Sequence, residues 1–245
     1  MSCKWISHRG ESIDAPENTI AAFNLSLARD VDGMECDIHL TKDNIVVIAH
    51  DNNTGRMGDK ILEIEQSTFS QLQEVNVSGA FQKVYPNERI PLFKDVLKLL
   101  KPNREFYIEL KPGDIALATA IIPIMQEANI PAEQIVFISF DKNMIAQVKK
   151  DMPQYKALLL ATITDATTTA ESLLATIDEL NADGLDLYAY EPLITKEFVE
   201  KIHAAGKTLA VWTVDQPGHA QRMIDVGVDS ITSNRAALLK ELLTK

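Results

Sequence analysis

GLDLYAYEPLITKEFVEKIHAAGKTLAVWT, residues 184–213, contains one complete strand-helix-strand repeat. Gly184–Leu187 and Thr208–Thr213 are short and mostly apolar, the composition of strands covered on both faces. Between them, Thr195–Ala205 sets Phe198, Ile202 and Ala205 along one helical face, and Gly206 follows as the residue that stops the helix. Two such strands joined through a helix belong to a parallel sheet, because an antiparallel pair needs only a tight turn.

Outwards from this stretch the same alternation recurs. Strands are expected at Lys4–Ser7, Gly33–Leu40, Phe106–Leu110, Ile135–Ser139, Ala157–Ala161 and Asp229–Thr232, which brings the number of units to eight. Ile20, Phe23, Leu27 and Val31 mark the buried stripe of the first helix, and Leu238, Leu239, Leu242 and Leu243 line the last. Eight units in 245 residues suit a (β/α)8 TIM barrel, whose usual size is about 250 residues. Periodicity does not see closure, so a doubly wound open sheet is the alternative. One connection breaks the rhythm. Residues 52–92 carry Gly55, Gly58, Gly79 and Pro86 around a helical stretch Ser70–Val75, ahead of a helix at Phe93–Leu100. They are expected to form a small capping insertion at the barrel mouth of one domain spanning residues 1–245.

Lys and Arg number 24 against 35 Asp and Glu, a formal net charge of -11, which argues against binding to nucleic acid or to anionic membrane surfaces. An acidic protein acting on a phosphate needs local positive charge, from a metal ion or from Arg and Lys placed in the site. The N-terminal residues lack the apolar run of a secretory signal, and the richest apolar stretch, Ile115–Ile124, is interrupted and too short for a membrane span. The only cysteines are Cys3 and Cys36, which suits a reducing compartment. A cytoplasmic protein without stable membrane association is expected, with homo-oligomerisation open.

In such barrels the chemistry gathers at the C-terminal ends of the strands, so polar residues that end apolar strands carry the functional signal. Glu35 and Asp37 are two apart and therefore share one face of their strand. Two carboxylates in a buried strand raise a pKa or destabilise the fold unless a cation neutralises them; the alternative is a solvated edge. Glu109 and Lys111 repeat the spacing on the next strand, which brings Glu109 beside the first pair and Lys111 nearer the mouth, unless the two form only a strand-end ion pair. Three carboxylates without a cysteine make an oxygen-rich site that suits Mg²⁺ or Ca²⁺ better than Zn²⁺. His8 and Arg9 end the first strand, the latter with planar donors that match phosphate oxygens.

Asp43-Asn44 reads as a two-residue turn, with Lys42 paired to Ile45 and an arm at Ile45–Ala49, so that Asp37 faces His50 at a Cβ separation of about 4.5–5.5 Å. His39 is expected to point away from the face of Glu35 and Asp37, and His203 and His219 to lie on helix surfaces. Asn18 is the expected cap of the first helix. Trp212 either walls the pocket or belongs to the core.

In order and spacing, His8-Arg9-Gly10, Ala15-Pro16-Glu17-Asn18-Thr19, Glu35-x-Asp37, His50-Asp51, Glu109-Leu110-Lys111 and Trp212-Thr213-Val214 resemble the glycerophosphodiester phosphodiesterase family, bacterial cytosolic type. The resemblance spans nearly the whole chain. It implies a divalent cation held by Glu35, Asp37 and Glu109, with His8 and His50 as the acid-base pair and Arg9, Lys111 and Trp212 against the substrate. The implied reaction is hydrolysis of a small-molecule glycerophosphodiester to glycerol 3-phosphate and an alcohol. The chain departs from the family pattern at Asp215, where Asn is common, at Asn52–Arg56, which lacks the usual apolar residue, and at Ser233-Asn234 in place of Thr-Asp. A lipid-acting relative similar to the sphingomyelinase D-type phospholipases is one alternative, although those are typically exported and disulfide-bonded. A non-catalytic barrel that binds a phosphorylated metabolite is another.

Overall fold

Eight parallel strands close on themselves. In the computed structural model, which describes residues 3–163, 165, 167–190 and 192–244, they are β1 (Lys4–Ser7), β2 (Gly33–Leu40), β4 (Glu105–Leu110), β5 (Ile135–Ser139), β6 (Lys156–Ala161), β7 (Gly184–Tyr188), β8 (Thr208–Trp212) and β9 (Ser230–Ser233). Each pairs with its neighbour from β1 through β9, β8, β7, β6, β5 and β4 to β2, and the β1–β2 pair seals the ring. The open-sheet alternative is therefore excluded, and the fold is a TIM barrel.

Alternation along each strand divides the apolar residues between two cores. Trp5, Met34, Cys36, Phe106, Ile108 and Phe137 point outwards against the helices, whereas Ile6, Tyr107, Val136, Ile138, Leu158 and Leu160 fill the barrel. The helices that cover the ring include α1 (Ile20–Ala28), α4 (Ala116–Ala128), α5 (Lys142–Asp151), α6 (Ala170–Glu179), α7 (Lys196–Ala204), α8 (Pro217–Val226) and α9 (Ala236–Leu243). In α9 only part of the expected stripe is buried: Leu239 is fully covered, while Leu238 and Leu242 are 48% and 52% exposed. Leu238 and Leu242, one residue before and three after Leu239, fall about 100° and about 60° to the same side of it around the axis, so only a narrow row with Ala236 and Leu239 meets the barrel. Among the described residues no helix is long and apolar enough to cross a membrane.

The hairpin arm β3 (Val46–Ile48) pairs antiparallel with β2, one residue out of the expected register. Ile38 faces Ile48 and Leu40 faces Val46, and the Ala49 amide donates to the Asp37 carbonyl oxygen. The turn holds three residues, Lys42, Asp43 and Asn44, because Asn44 takes a left-handed conformation at φ 59° and lengthens the loop by one.

Residues 52–92 form an ordered excursion with α2 (Phe69–Leu72), shorter than the helix expected there, and a local core of Val47, Ile64, Leu72, Val75, Val77 and Ile90. The helix after it, α3 (Phe93–Leu97), stops short of the expected Leu100.

The loop leaving β1 turns on two left-handed residues, Arg9 at φ 56° and Gly10 at φ 79°. A Cβ on Gly10 would lie 2.6 Å from the backbone carbon of Ala22 in α1. Gly10→Ala is therefore expected to destabilise the fold by at least about 2 kcal/mol in denaturant unfolding, from strain and clash together. Unchanged stability would mean that α1 yields freely.

Candidate active site

His8, Arg9, Glu35, His50, Glu109 and Lys111 line one pocket at the C-terminal mouth of the barrel, with Trp212 on its far wall. Asp37 lies beside it, its carboxylate 1% exposed. Elements far apart in sequence thus bring all eight expected site residues together. Glu35, Asp37 and Glu109 each offer an oxygen within 4.8 Å of the others, and all three are buried. The parity of β2 and the in-register Asp37–Glu109 pair with β4 cause this convergence.

The acids are unequally compensated. Burial would raise the Asp37 pKa, but Lys111 Nζ at 2.7 Å from its Oδ1 and Arg9 Nε at 3.4 Å from its Oδ2 outweigh burial and hold the carboxyl well below its ordinary range. Glu109 is pushed up to about 8, by burial first and by Asp37 second, despite Lys111 at 2.9 Å. Burial and then Asp37 drive Glu35 upwards as well, although the Arg9 amide donates to its Oε2 at 2.9 Å. Two of three clustered carboxyls resist ionisation on the protein's own charges. An oxygen-only donor set with unmet negative charge fits a hard divalent cation.

Both histidines are oriented by their Nδ1 partners. His8 Nδ1 lies 2.7 Å from Asn234 Oδ1. The Asn234 amide is itself set by its Nδ2, which donates to Asp215 Oδ2 at 2.6 Å. An amide oxygen only accepts, so Nδ1 carries the proton and the lone pair of the neutral ring is on Nε2. His50 Nδ1 faces Asp51 Oδ1 at 2.7 Å, which assigns the same tautomer. Burial, followed by the charge of Arg9, lowers the His8 pKa to about 4. The His50 pKa is lowered too, chiefly by burial, with Asp37 and the Asp51 hydrogen bond opposing the shift.

Several partners are not foreseen in the sequence. Asn18 does not cap α1: Thr19 does, its hydroxyl accepting from the Ala22 amide. Asn18, left-handed at φ 56°, instead donates its Nδ2 to Asp37 Oδ2 at 2.8 Å. Arg56 from the excursion donates through Nε to Asp51 and through NH1 and NH2 to Glu17, and Glu17 also accepts from Arg9 NH1. A continuous chain from Arg9 to His50 results. Two departures from the family pattern, Asp215 and Asn234, bond to each other and so reach His8. The expectation for His39 is overturned, since it shares the parity of Glu35 and Asp37, is buried, and contacts the His50 carbonyl oxygen through Nε2 at 3.3 Å. His203 is exposed beside Asp229, as expected. His219 is half-buried rather than on the surface: it packs on Tyr190 at 4.1 Å and contacts the Ala189 carbonyl oxygen through Nε2. The Trp212 ring meets Phe140 at 5.5 Å and Tyr188 at 5.6 Å, and its Nε1 donates to the Asp186 carbonyl oxygen, so it walls the pocket.

Residues 8–238 match the sequence model of the glycerophosphoryl diester phosphodiesterase family. The chain belongs to that family. A glycerophosphodiester phosphodiesterase of Caldanaerobacter subterraneus subsp. tengcongensis is 30% identical over 247 residues, covering 98% of this chain and 97% of the relative. One from Bacillus altitudinis is 26% identical, covering 97% and 98%. Among solved structures, an Oleispira antarctica phosphodiesterase in complex with the product sn-glycerol-3-phosphate matches with a TM-score of 0.89 at 21% identity, covering all of this chain and 98% of that one. That likeness shows the fold. A glycerophosphodiester phosphodiesterase from Parabacteroides distasonis matches with a TM-score of 0.83 at 25% identity, covering 99% and 97%. In this glycerophosphodiester phosphodiesterase family member, the pocket at the barrel mouth is therefore the place to seek the chemistry.

Proposed function

We propose that the chain hydrolyses glycerophosphodiesters to glycerol 3-phosphate and an alcohol, with Mg²⁺ or Ca²⁺ held by Glu35, Asp37 and Glu109. The observation that carries this reading is the placement of a buried carboxylate triad and two imidazoles of fixed tautomer around one pocket. When bound, the cation supplies polarisation of a phosphoryl oxygen and neutralisation of developing charge. The chain's own residues supply the rest. Arg9 and Lys111 hold phosphate oxygens, and Trp212 walls the alcohol side under the cap of residues 52–92.

The two imidazoles take different roles because their supports differ in charge. His8, backed by a neutral amide and kept unprotonated at neutral pH by its burial, accepts the proton of the attacking water at Nε2. His50, backed by the carboxylate of Asp51, is better able to carry a proton and delivers it from Nε2 to the leaving alcohol. Cys3 and Cys36 are both free thiols, which supports a reducing, cytoplasmic site of action.

The direct test measures glycerol 3-phosphate released from several glycerophosphodiesters in the presence of Mg²⁺ or Ca²⁺. Release that depends on intact His8 and His50 is the expected outcome. Absence of release from every diester with either ion would overturn the reading.

A further inference from the structure

Two buried polar atoms in the floor of the pocket have no role in the chemistry just described. Asp186 Oδ1, on β7, and Thr232 Oγ1, on β9, lack a hydrogen-bond partner among the described residues. Both side chains line the same pocket as Glu35, Glu109 and the two histidines. Asp186 is 1% exposed and Thr232 is 3% exposed. Apolar groups surround them: Leu160 and Ala210 are the strand partners of Asp186, Ile6 is that of Thr232, and Ile138 completes the floor. In the layer beneath, Tyr107 and Ser230 already satisfy each other, hydroxyl to hydroxyl at 3.0 Å.

An unpaired carboxyl in such a place costs stability, and the interior of a barrel normally excludes it. Burial alone, with no charged partner, pushes the Asp186 pKa up to about 8, so the group is largely neutral at pH 7 and both donates and accepts. A neutral carboxyl and a threonine hydroxyl that line one pocket among apolar side chains match a ligand hydroxyl rather than a cation or an anion.

The two ends of the pocket differ in a way that selects which hydroxyl. The mouth is aromatic and open, with Phe140 and Tyr188 42% and 37% exposed beside Trp212, and tolerates groups of varied shape. At the floor Asp186 and Thr232 are buried among Leu160, Ala210, Ile6 and Ile138. A diesterase that accepts different alcohols holds the part its substrates share in the buried end and leaves the variable part at the mouth. That shared part is glycerol, which carries the hydroxyls.

We propose that Asp186 and Thr232 form a hydroxyl-binding subsite for the glycerol half of the substrate, with Asp186 as the specificity-determining residue. The inference rests on the proposed glycerophosphodiester activity. A site built to hydrogen-bond a hydroxyl rejects the analogue lacking it far more strongly than an apolar pocket does, by about 10⁴-fold or more in favourable cases. The discrimination belongs to the pair of polar groups.

The test uses the full chain loaded with Mg²⁺. Dissociation constants are measured for glycerol 3-phosphate and for ethyl phosphate, which keeps the phosphate but lacks both hydroxyls, and their ratio is compared across variants. Asp186→Leu is expected to reduce the preference for glycerol 3-phosphate at least about 30-fold, Asp186→Asn less because an amide still bonds, and Thr232→Val about 3–10-fold, the size of one neutral hydrogen bond. A ratio unchanged in folded Asp186→Leu, or both ligands weakened equally, overturns the subsite. Should Asp186→Leu fail to fold, Asp186→Asn and Thr232→Val decide on the same ratio. The two proposals fail separately: wild-type protein that releases glycerol 3-phosphate while the variants keep its preference refutes only the subsite. Wild-type protein that prefers glycerol 3-phosphate, loses that preference in the variants and hydrolyses no diester refutes only the activity.

Discussion

Thorough chelation of divalent ions is expected to lower glycerol 3-phosphate release by at least about 10³-fold, the several kcal/mol that a Lewis-acid cation contributes at phosphorus. Restoring Mg²⁺ or Ca²⁺ is expected to recover it. The same triad predicts a second, independent readout. Without a cation, Glu35 and Glu109 lie close to Asp37 in a buried site, and their charges are poorly compensated. Saturating cation at about 100 times its dissociation constant is therefore expected to stabilise the fold by about 2.7 kcal/mol, read as a rise in the thermal midpoint.

The pH dependence of the metal-free protein follows from Glu109. Its folded pKa of about 8 lies above its ordinary value of 4.5, so the folded state binds more protons than the unfolded state between those limits. Stability from this group is full below the lower limit and is lost as pH rises towards 8. Asp37 works in the opposite sense, since its folded pKa is depressed and its stabilisation is lost only in acid. Glu35→Gln removes one of the clashing charges, and is expected to abolish activity while leaving the metal-free protein at least as stable as wild type at pH 8. Activity indifferent to chelation, or a Glu35→Gln protein that is inactive yet shows the full thermal shift with Mg²⁺, would remove the triad from its proposed role.

The histidine replacements carry the second large effect. His8→Ala and His50→Ala are each expected to lower kcat by at least about 10²-fold with an alkyl glycerophosphodiester, the usual contribution of a positioned acid or base. The two variants should part company on a substrate whose leaving group is p-nitrophenol. That group departs without protonation, so the His50→Ala defect is expected to shrink to within about 10-fold, while the His8→Ala defect persists, because the attacking water still needs its base. Rescue of His8→Ala instead would exchange the roles. Equal rescue of both would mean that neither proton transfer is separate from simple binding.

Much of the site was legible because strand parity is a local property. Glu35 and Asp37 had to share a face, and Glu109 had to lie nearby once β2 and β4 paired in parallel. The same rule, applied consistently, places His39 on that face and marks Asp186 as a lone acid inside Leu185-Asp186-Leu187. The hairpin register was legible only in part, because the left-handed turn at Asn44 changed the loop length without changing the apolar pattern. His50 reaches the pocket all the same, since the chain turns after β3 and Asp51 fixes the ring.

By itself the order of residues determined the eight alternating units, the carboxylates that share a strand face and the residue types at each strand end, because these depend on periods of two and 3.6 residues within a segment. Closure of the ring was decided in three dimensions, since only the β1–β2 pairing separates a barrel from an open sheet. So was the identity of three orienting partners: Asn234 behind His8, Arg56 behind Asp51, and Asn18 against Asp37 come from loops brought together only by the fold. Hydrogen bonds act over about 3 Å of space, whatever the chain distance, so their pairing appears only when the strands have brought the loops to one end of the barrel.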